Sequence, residues 1–365
     1  MAVDMNEFCY TLTQKLFSEQ IRSATAILPN QGTLAWVLSD QNRNAGGFSV
    51  ELDPGSDGKR HDARIRFLQR TPLSAYDSTP GTYCDPVTPK SYQFQSLAID
   101  QERRSEVFTF QYKQMRDFCE GKSNHIAEVI NSGMQSLKSA LNRDLVTLIS
   151  SGGFVGNFAG GVAGPKVIPL FQTTENKINP LGEIVMEEDM TDAELGGMMP
   201  VKIGAGLLRR YAIMKSIACC NDAGFNAGQL AQINGYILDT TIDTVEGVAN
   251  NIWVMVPGAL QFVDTNHNRG EFEFRSPDHI KITMPDNQFP NLLWDFYAKF
   301  AHCNDGEAGD DDYDTVYNVQ LVKRWTAWGY PSDLFATGDS LEGVKDVFHY
   351  IGECSDDTVC ESILS

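Results

Sequence analysis

A stretch of alternating apolar and polar residues in the first third of the chain predicts a β-hairpin. The alternation runs along two arms that flank a turn-rich cluster at residues 54–58, as is typical of paired strands. Its apolar positions are Phe48, Val50, Leu52, Ala63, Ile65 and Phe67. Because an isolated two-stranded hairpin is only marginally stable in water, this apolar face needs a cover. The flanking segments 39–44 and 70–90 are polar and rich in turn residues, so a second copy of the chain is the candidate cover.

The clearest helical pattern lies between Ser123 and Ser150. Seven apolar residues recur there at spacings of three and four, which places them on one stripe of a helix. They are Ile126, Ile130, Met134, Leu137, Leu141, Leu145 and Leu148. Ser123 or Asn124 can cap the start, and Gly152 with Gly153 ends the pattern. At 1.5 Å per residue this helix is roughly 40 Å long, about twice the usual length.

The rest of the chain carries short helical and strand-like patterns. Residues 5–28 predict an amphipathic helix that runs into an extended, polar arm. Residues 92–112 predict a strand followed by a strand or helix, which should join a main sheet. The Gly-rich link 152–164 precedes short helices predicted at 192–194 and 207–220. Further strands are predicted at 252–256, 272–274, 280–284, 294–300 and 316–325. Because strands and helices are segregated along the chain rather than alternating, an α+β fold is favoured over α/β.

Composition and charge bound the class of protein. The chain has 365 residues, 42% of them hydrophobic, and a net charge of −19. Its length and hydrophobic content are typical of a globular protein with one large or two ordinary domains. The negative charge argues against a protein that grips nucleic acid, which needs a basic surface. It does not exclude a container that leaves nucleic acid mobile.

The cysteines and the N-terminal segment indicate in which cellular compartment the protein is made. Eight cysteines are scattered without the C-x-x-C spacing of zinc sites, so free thiols in a reducing compartment are the simplest interpretation. Residues 1–10 carry acids and no apolar signal-peptide core, and no apolar stretch reaches the length of a membrane span. We therefore expect a protein that is made in a cytoplasm and has no membrane partner.

No motif along the chain carries all the residues that a known chemistry needs. The glycine run at 204–206 opens like a dinucleotide fingerprint, but Arg209 stands where the third glycine belongs. Residues 264–268 begin like a calcium loop, but Arg269 replaces the glycine of the sharp turn, which favours a hairpin turn. The acidic residues at 305–314 could recruit a divalent cation, although such a run is usually a solvated loop. We therefore predict no catalytic residue, no cofactor and no metal site.

The hairpin also carries a local excess of positive charge. Its basic residues are Lys59, Arg60, Arg64, Arg66 and Arg70. On an otherwise acidic chain, this basic stripe would find many acidic partners on a second copy. A solvated strand face, with pairing to Glu51 and Asp53, is the alternative, and the two interpretations are compatible.

The order of these elements resembles that of the HK97-like major capsid proteins of tailed bacteriophages. That order is an N-terminal arm, a protruding hairpin, a long helix, a mixed second region and returning long strands. The segment 251–260 resembles the buried strand and Pro-Gly turn of the family's axial domain. Segments 219–224, 330–335 and 338–344 are similar to capsid proteins of phages that infect Bacteroidetes-type hosts. The resemblance in element order covers nearly the whole chain.

The resemblance implies an HK97-like α+β fold with named parts. These are an N-terminal arm at 1–45, an extended E-loop hairpin at 46–90, a peripheral domain at 91–164 with the spine helix at 123–150, an axial domain at 165–280, return strands of the peripheral domain at 281–335, and a C-terminal segment at 336–365. Within the E-loop it implies a set of contacts to a neighbouring subunit. These residues are Phe48, Val50, Glu51, Lys59, Arg60, Arg64, Ile65, Arg66, Phe67 and Arg70.

The resemblance also implies a structural function without catalysis. The expected protein forms homo-oligomeric pentamers and hexamers of an icosahedral head around double-stranded DNA, which is packaged without sequence-specific binding. A portal and a separate scaffold are expected partners, and decoration proteins are left open. Assembly is expected in the host bacterial cytoplasm, and the final location is the virion capsid. The alternatives are an encapsulin-like compartment with protein cargo, and a soluble enzyme or carbohydrate-binding protein with an unrecognised site.

Overall fold

The computed structural model of the chain divides into two compact units. Unit 1 comprises Met1–Leu38, Glu102–Asn142 and Phe262–Thr326, and unit 2 comprises Ser39–Gln101, Arg143–Gln261 and Ala327–Ser365. The residues that the structure describes are 31–39, 42–43, 48–54, 61–68, 94–98, 104–112, 123–150, 164–171, 178–179, 181–193, 195, 200–218, 235–245, 250–264, 272–276, 279–286, 288–289, 292–303, 314–329 and 346–353. The helix predicted at 5–28 and the acidic residues 305–313 lie outside them. The domain boundaries implied by the resemblance stay predictions.

Five helices and fourteen strands are labelled here within the described residues. The helices are α1 Gly32–Val37, α2 Ser123–Ser150, α3 Leu181–Asp192, α4 Gly206–Ala218 and α5 Thr241–Thr244. The strands are β1 Phe48–Pro54, β2 His61–Leu68, β3 Phe94–Ala98, β4 Arg104–Tyr112, β5 Lys166–Pro169, β6 Val201–Gly204, β7 Tyr236–Leu238, β8 Asn251–Met255, β9 Leu260–Asp264, β10 Phe272–Ser276, β11 His279–Pro285, β12 Leu293–Cys303, β13 Asp314–Gly329 and β14 Val347–Glu353.

The long helix predicted at 123–150 is confirmed as α2. Its apolar stripe is buried at Ile130, Met134, Leu137, Leu141 and Leu145, each at most 4% exposed. Burying one such side chain contributes roughly 1.5–3 kcal/mol. Packing of this stripe therefore stabilises the helix far more than intrinsic helix propensity does.

The N-terminal segment departs from the polar arm that the sequence predicts. Residues 32–37 form the short helix α1, in which Leu34 and Val37 are fully buried. The helix has no capping side chain of its own. Asn142 of α2 supplies the cap instead, because its Oδ1 accepts a hydrogen bond from Leu34 N at 2.8 Å.

Unit 1 is built around a six-stranded sheet with the order β10-β11-β12-β13-β4 and with β9 pairing β13. The predicted return strands are confirmed as β12 and β13, which pair antiparallel with Phe296 opposite Leu321. Trp294, Phe296, Leu321 and Trp325 are at most 1% exposed and form its core. Of the hairpin turn predicted at 264–268, residues 265–268 lie outside the described residues, so the turn stays a prediction.

A buried ion pair ties α2 to the loop before β12 in unit 1. Lys138 Nζ lies 3.4 Å from Asp286 Oδ2, and both side chains are at most 3% exposed. Asp286 also accepts hydrogen bonds from the backbone N–H groups of Gln288 and Phe289 and from Trp294 Nε1. Burial lowers the pKa of Lys138 below its ordinary value, although Asp286 opposes the shift.

Unit 2 contains a five-stranded mixed sheet with the order β5-β14-β8-β6-β7. Its outer pairs are parallel, and β8 pairs antiparallel with both β14 and β6. The strand predicted at 252–256 is confirmed as β8, in which every residue is buried. β14 lies within the predicted C-terminal segment 336–365, where the sequence analysis predicted no strand.

The helix α3 of unit 2 lies N-terminal to the helix that was predicted at 192–194. The sequence placed a helix start at Asp192 after a Thr191 cap, but α3 begins at Leu181 and ends at Asp192. Thr191 Oγ1 donates back to the Glu187 carbonyl at 2.9 Å, so it bonds within the last turn instead of capping a new one. Asn179 Oδ1 accepts from Leu181 N at the true start. The helix predicted at 207–220 is confirmed as α4.

Candidate functional site

The predicted hairpin is present and belongs to a three-stranded sheet in unit 2, here called the hairpin sheet (β1, β2 and β3). β1 and β2 pair antiparallel, with Phe48 opposite Phe67 and Val50 opposite Ile65. β3 pairs antiparallel with the other edge of β2 and brings Leu97 opposite Ile65. Directly opposite positions of antiparallel strands lie on the same face. One face of the hairpin sheet, here called the apolar face, therefore collects Phe48, Val50, Leu52, Ala63, Ile65, Phe67 and Leu97.

The opposite face of the hairpin sheet carries the charged positions. Glu51 lies opposite Arg64, and Ser49 lies opposite Arg66. Opposite charges at directly paired positions contribute roughly 0.2–1 kcal/mol. The register places Arg64 opposite Glu51, as the alternative of a solvated strand face requires, and the role of Arg64 stays a prediction. Asp53 lies opposite Asp62 instead of a basic residue.

The register places most of the predicted contact residues on two faces. Phe48, Val50, Ile65 and Phe67 lie on the apolar face. Glu51, Arg64 and Arg66 lie on the other. Lys59, Arg60 and Arg70 lie outside the described residues. Contact of these ten positions with another subunit stays a prediction.

The third strand is the part of this sheet that the sequence analysis missed. Residues 92–112 were predicted to join one main sheet, which is right for β4 but wrong for β3. The signal was weak because Phe94 and Leu97 are not an even number of residues apart, so β3 lacks a clean period of two. The third strand matters because it widens the apolar face beyond that of a two-stranded hairpin.

The glycine run at 204–206 lies where a strand passes into a helix. β6 ends at Gly204, α4 starts at Gly206, and β7 lies parallel to β6. In such units the start of the helix can hold a phosphate, but here Asp243 Oδ1 accepts a hydrogen bond from Gly206 N at 3.3 Å. Burial raises the pKa of Asp243. A Cβ at Gly204 would meet Leu208 at 2.9 Å, so this glycine is required for packing.

A polar cluster in unit 2 surrounds Glu183 on α3. Lys202 Nζ donates to Glu183 Oε1 at 3.0 Å, Tyr236 OH donates to the same oxygen, and Tyr211 OH donates to Oε2 at 3.3 Å. Burial and the neighbouring Glu183 raise the pKa values of both tyrosines above their ordinary range. The donors lie on β6, β7 and α4, so the cluster fastens α3 to the sheet and to the neighbouring helix.

A second carboxylate of α3 bonds to the other edge of the same sheet. Asp189 accepts hydrogen bonds from Lys166 Nζ at 2.7 and 3.0 Å and from Tyr350 OH at 3.0 Å. Burial, with the charge of Asp189, raises the pKa of Tyr350. Because Glu183 and Asp189 both have several donors, these clusters hold structure together within the chain.

Within the described ranges, no group of three His, Cys, Asp or Glu side chains could hold a metal ion. No helix in that part of the chain is both long and apolar enough to cross a membrane.

Comparison with known proteins gives structural similarities only. No family model matches the sequence, and no curated protein matches it. A chain of the capsid asymmetric unit of cyanophage A-1(L) has a TM-score of 0.47 and 10% identity, and the match covers 91% of this chain and 95% of that chain. A chain of the capsid structure of cyanophage P-SCSP1u has a TM-score of 0.42 and 6% identity, with 80% and 83% covered.

A third similar chain comes from Mycobacterium phage Bobi, with a TM-score of 0.41, 12% identity, and coverage of 91% of this chain and 93% of that chain. All three similarities are low in TM-score and identity, so the function is argued below from the chain's own residues. In structure, the chain is similar to chains of phage capsids, as the resemblance of its sequence predicts.

Proposed function

We propose that the protein is a structural subunit of a phage head, with an HK97-like fold in which the hairpin sheet is the E-loop and α2 is the spine helix. The observation that carries this proposal is the concentration of large apolar positions of β1 and β2 on one face of the hairpin sheet, to which Leu68, paired with Phe94 on the charged face, is the exception. A small sheet with one apolar face needs a partner layer. In a shell, a neighbouring copy or the subunit's own axial domain provides that layer.

The apolar face is large enough for a weak contact between subunits that is repeated many times in a shell. Its six large apolar positions, Phe48, Val50, Leu52, Ile65, Phe67 and Leu97, correspond to roughly 9–18 kcal/mol of gross burial. Association itself costs about 4–15 kcal/mol, so one contact of this kind is only marginally favourable. In a closed shell, many copies make the same contact at once, and their effects multiply.

The charges of the chain fit the same role. The net charge of −19 offers many acidic partners to Lys59, Arg60, Arg64, Arg66 and Arg70 of a neighbouring subunit. It also disfavours tight binding of DNA, because phosphate binding relies on clustered Lys and Arg. Pentamers and hexamers would thus enclose double-stranded DNA without gripping it. The subunits would assemble with a scaffold and a portal in the host bacterial cytoplasm, and no catalysis is involved.

Deletion of the hairpin tip tests the proposal. Removing residues 53–60 is expected to leave a soluble, folded protein that forms no closed shells by negative-stain microscopy and sedimentation velocity. The ratio of absorbance at 260 and 280 nm of wild-type particles distinguishes packaged DNA from protein cargo. Normal shells from the deletion would overturn the assignment of the hairpin sheet as an E-loop.

A matched pair of variants separates the two faces of the hairpin sheet. Val50→Asn with Ile65→Asn changes two paired positions of the apolar face, and Glu51→Asn with Arg64→Asn changes the next pair on the other face. We expect the first double variant to lose shells and the second to retain them in reduced number. Equal loss from both would contradict a special role of the apolar face.

A further inference from the structure

A tight turn in unit 2 follows the buried strand β8. Ala259 N donates to the Val256 carbonyl at 3.1 Å, Pro257 occupies the second position, and Gly258 has a φ of +93°. These are the features of a type II turn, whose third residue needs a positive φ and is therefore commonly glycine. The turn is buried, with Ala259 and Leu260 both 0% exposed.

Asn42 binds this turn through its side chain and its backbone. Its Oδ1 accepts a hydrogen bond from Gly258 N at 2.9 Å, and its Nδ2 donates to the Leu260 carbonyl at 2.7 Å. Gln261 Nε2 donates in return to the Asn42 carbonyl at 2.9 Å. Asn42 is 0% exposed although it lies 216 residues from Gly258 in sequence. We call this arrangement the Asn42 clasp.

The chemistry of the clasp requires an amide at position 42. An asparagine presents one acceptor and one donor group at the reach needed for the Gly258 N–H and the Leu260 carbonyl. Aspartate has no donor for the carbonyl, and alanine has neither group. Because all these atoms are buried, a lost partner is not replaced readily by water.

The position of the clasp gives it a role beyond packing. Asn42 lies six residues before β1 begins at Phe48, and six residues span at most about 20 Å. We infer that Asn42 is a positioning residue that fixes the root of the hairpin sheet on the turn at 257–260. This inference rests on the proposed function, because it makes the clasp set where the E-loop of each subunit can reach.

Asn142 provides a matched control for the test. It is also a fully buried asparagine whose Oδ1 accepts a backbone hydrogen bond, from Leu34 N at 2.8 Å, but it belongs to unit 1, whereas Asn42 and the turn at 257–260 belong to unit 2. The experiment compares Asn42→Ala with Asn142→Ala in the full chain at equal concentration. Shells are counted by negative-stain microscopy, and amide hydrogen exchange is measured by mass spectrometry on the unassembled protein.

We expect Asn42→Ala to yield at least tenfold fewer closed shells than Asn142→Ala. Exchange should accelerate at Arg43, whose N–H donates to the Ser39 carbonyl, and at Gly258 in Asn42→Ala only, while strand amides of β1 and β2 keep their wild-type rates. Gln261→Ala removes the donor to the Asn42 carbonyl but leaves the Asn42 side chain in place, so it should retain slow exchange at Gly258 and part of the shell yield. This comparison distinguishes a positioning role of the Asn42 amide from a general loss of stability.

Three outcomes would overturn the inference. They are equal shell yields from the two alanine variants, exchange at Arg43 and Gly258 that does not change in Asn42→Ala, and equal acceleration there in Asn142→Ala. If Asn42→Ala does not fold, Asn42→Ser is compared with Asn142→Ser under the same criteria. Failure of the wild-type protein to form shells would instead refute the proposed function, and the exchange comparison would still test the clasp.

Discussion

Replacing Glu183 with glutamine should destabilise unit 2 by about 3 kcal/mol. The substitution preserves the shape of the side chain and one acceptor oxygen, so it leaves no cavity. It removes the negative charge that faces Lys202, whose side chain is 5% exposed and lies 3.0 Å from Glu183 Oε1. The expected loss therefore comes from an uncompensated buried charge.

The magnitude follows from the geometry of the pair. At 3.0 Å and an effective dielectric constant of about 20, the attraction is about 5 kcal/mol. Desolvation of both groups offsets part of it, and removal of one partner from a buried pair usually costs about 3–5 kcal/mol. Replacing both partners is milder, so Glu183→Gln combined with Lys202→Met should lose at least about 2 kcal/mol less than the sum of the single changes.

Urea unfolding followed by circular dichroism and tryptophan fluorescence measures these losses. Glu187→Gln is the matched control, because Glu187 lies one turn further along α3 and is exposed; it should stay within about 0.5 kcal/mol of wild type. A loss from Glu183→Gln no larger than that of Glu187→Gln would refute the reasoning. So would a double variant whose loss equals the sum of the single losses.

Three further predictions concern pH and backbone conformation. Because burial lowers the pKa of Lys138, the unfolded chain binds more protons than the folded one between that lowered pKa and about pH 10.4. The unfolding free energy of wild type should therefore rise with pH across this window relative to Lys138→Met, by at most about 1.4 kcal/mol per pH unit in urea titrations. The raised pKa of Tyr236 has the opposite sign: stability should fall above about pH 10, and Tyr236→Phe should flatten that fall when unfolding is followed together with phenolate absorbance. Gly258→Ala should cost about 1–2 kcal/mol in thermal unfolding because of the φ of +93°, whereas an equal Tm for both proteins would contradict the turn geometry.

The sequence predicts best those elements whose pattern is long and local. α2 was predicted with the right bounds because its apolar stripe repeats over many turns and a glycine pair follows it. β8 was recognised from a short apolar run beside a Pro-Gly turn. The two strands of the hairpin were predicted because apolar and polar residues alternate regularly along them. In each case local periodicity and burial agree.

The features that escaped prediction depend on partners far away in the chain. β14 has a mixed pattern, Val-Phe-His-Tyr-Ile-Gly-Glu, and becomes a strand by pairing with β5 and β8. Two carboxylates of α3 accept hydrogen bonds from donors that lie far away in the chain. Glu183 and Tyr236 are 53 residues apart, and Asp189 and Tyr350 are 161 apart. From its sequence alone, a charged residue is expected to be exposed. Only the tertiary structure supplies the hydrogen-bond donors that make its burial tolerable.

The place of β14 within the sheet of unit 2 determines when that sheet can form during synthesis of the chain. β14 separates β5 from β8, so those two strands have no shared edge until residues 347–353 have been made. At about 5–20 residues per second, a ribosome needs roughly 5–20 s to pass from β8 to β14. During this interval the emerging chain lacks the strand that joins the parts of its sheet. The five-stranded sheet of unit 2 is therefore expected to form only after residues 347–353 have been made.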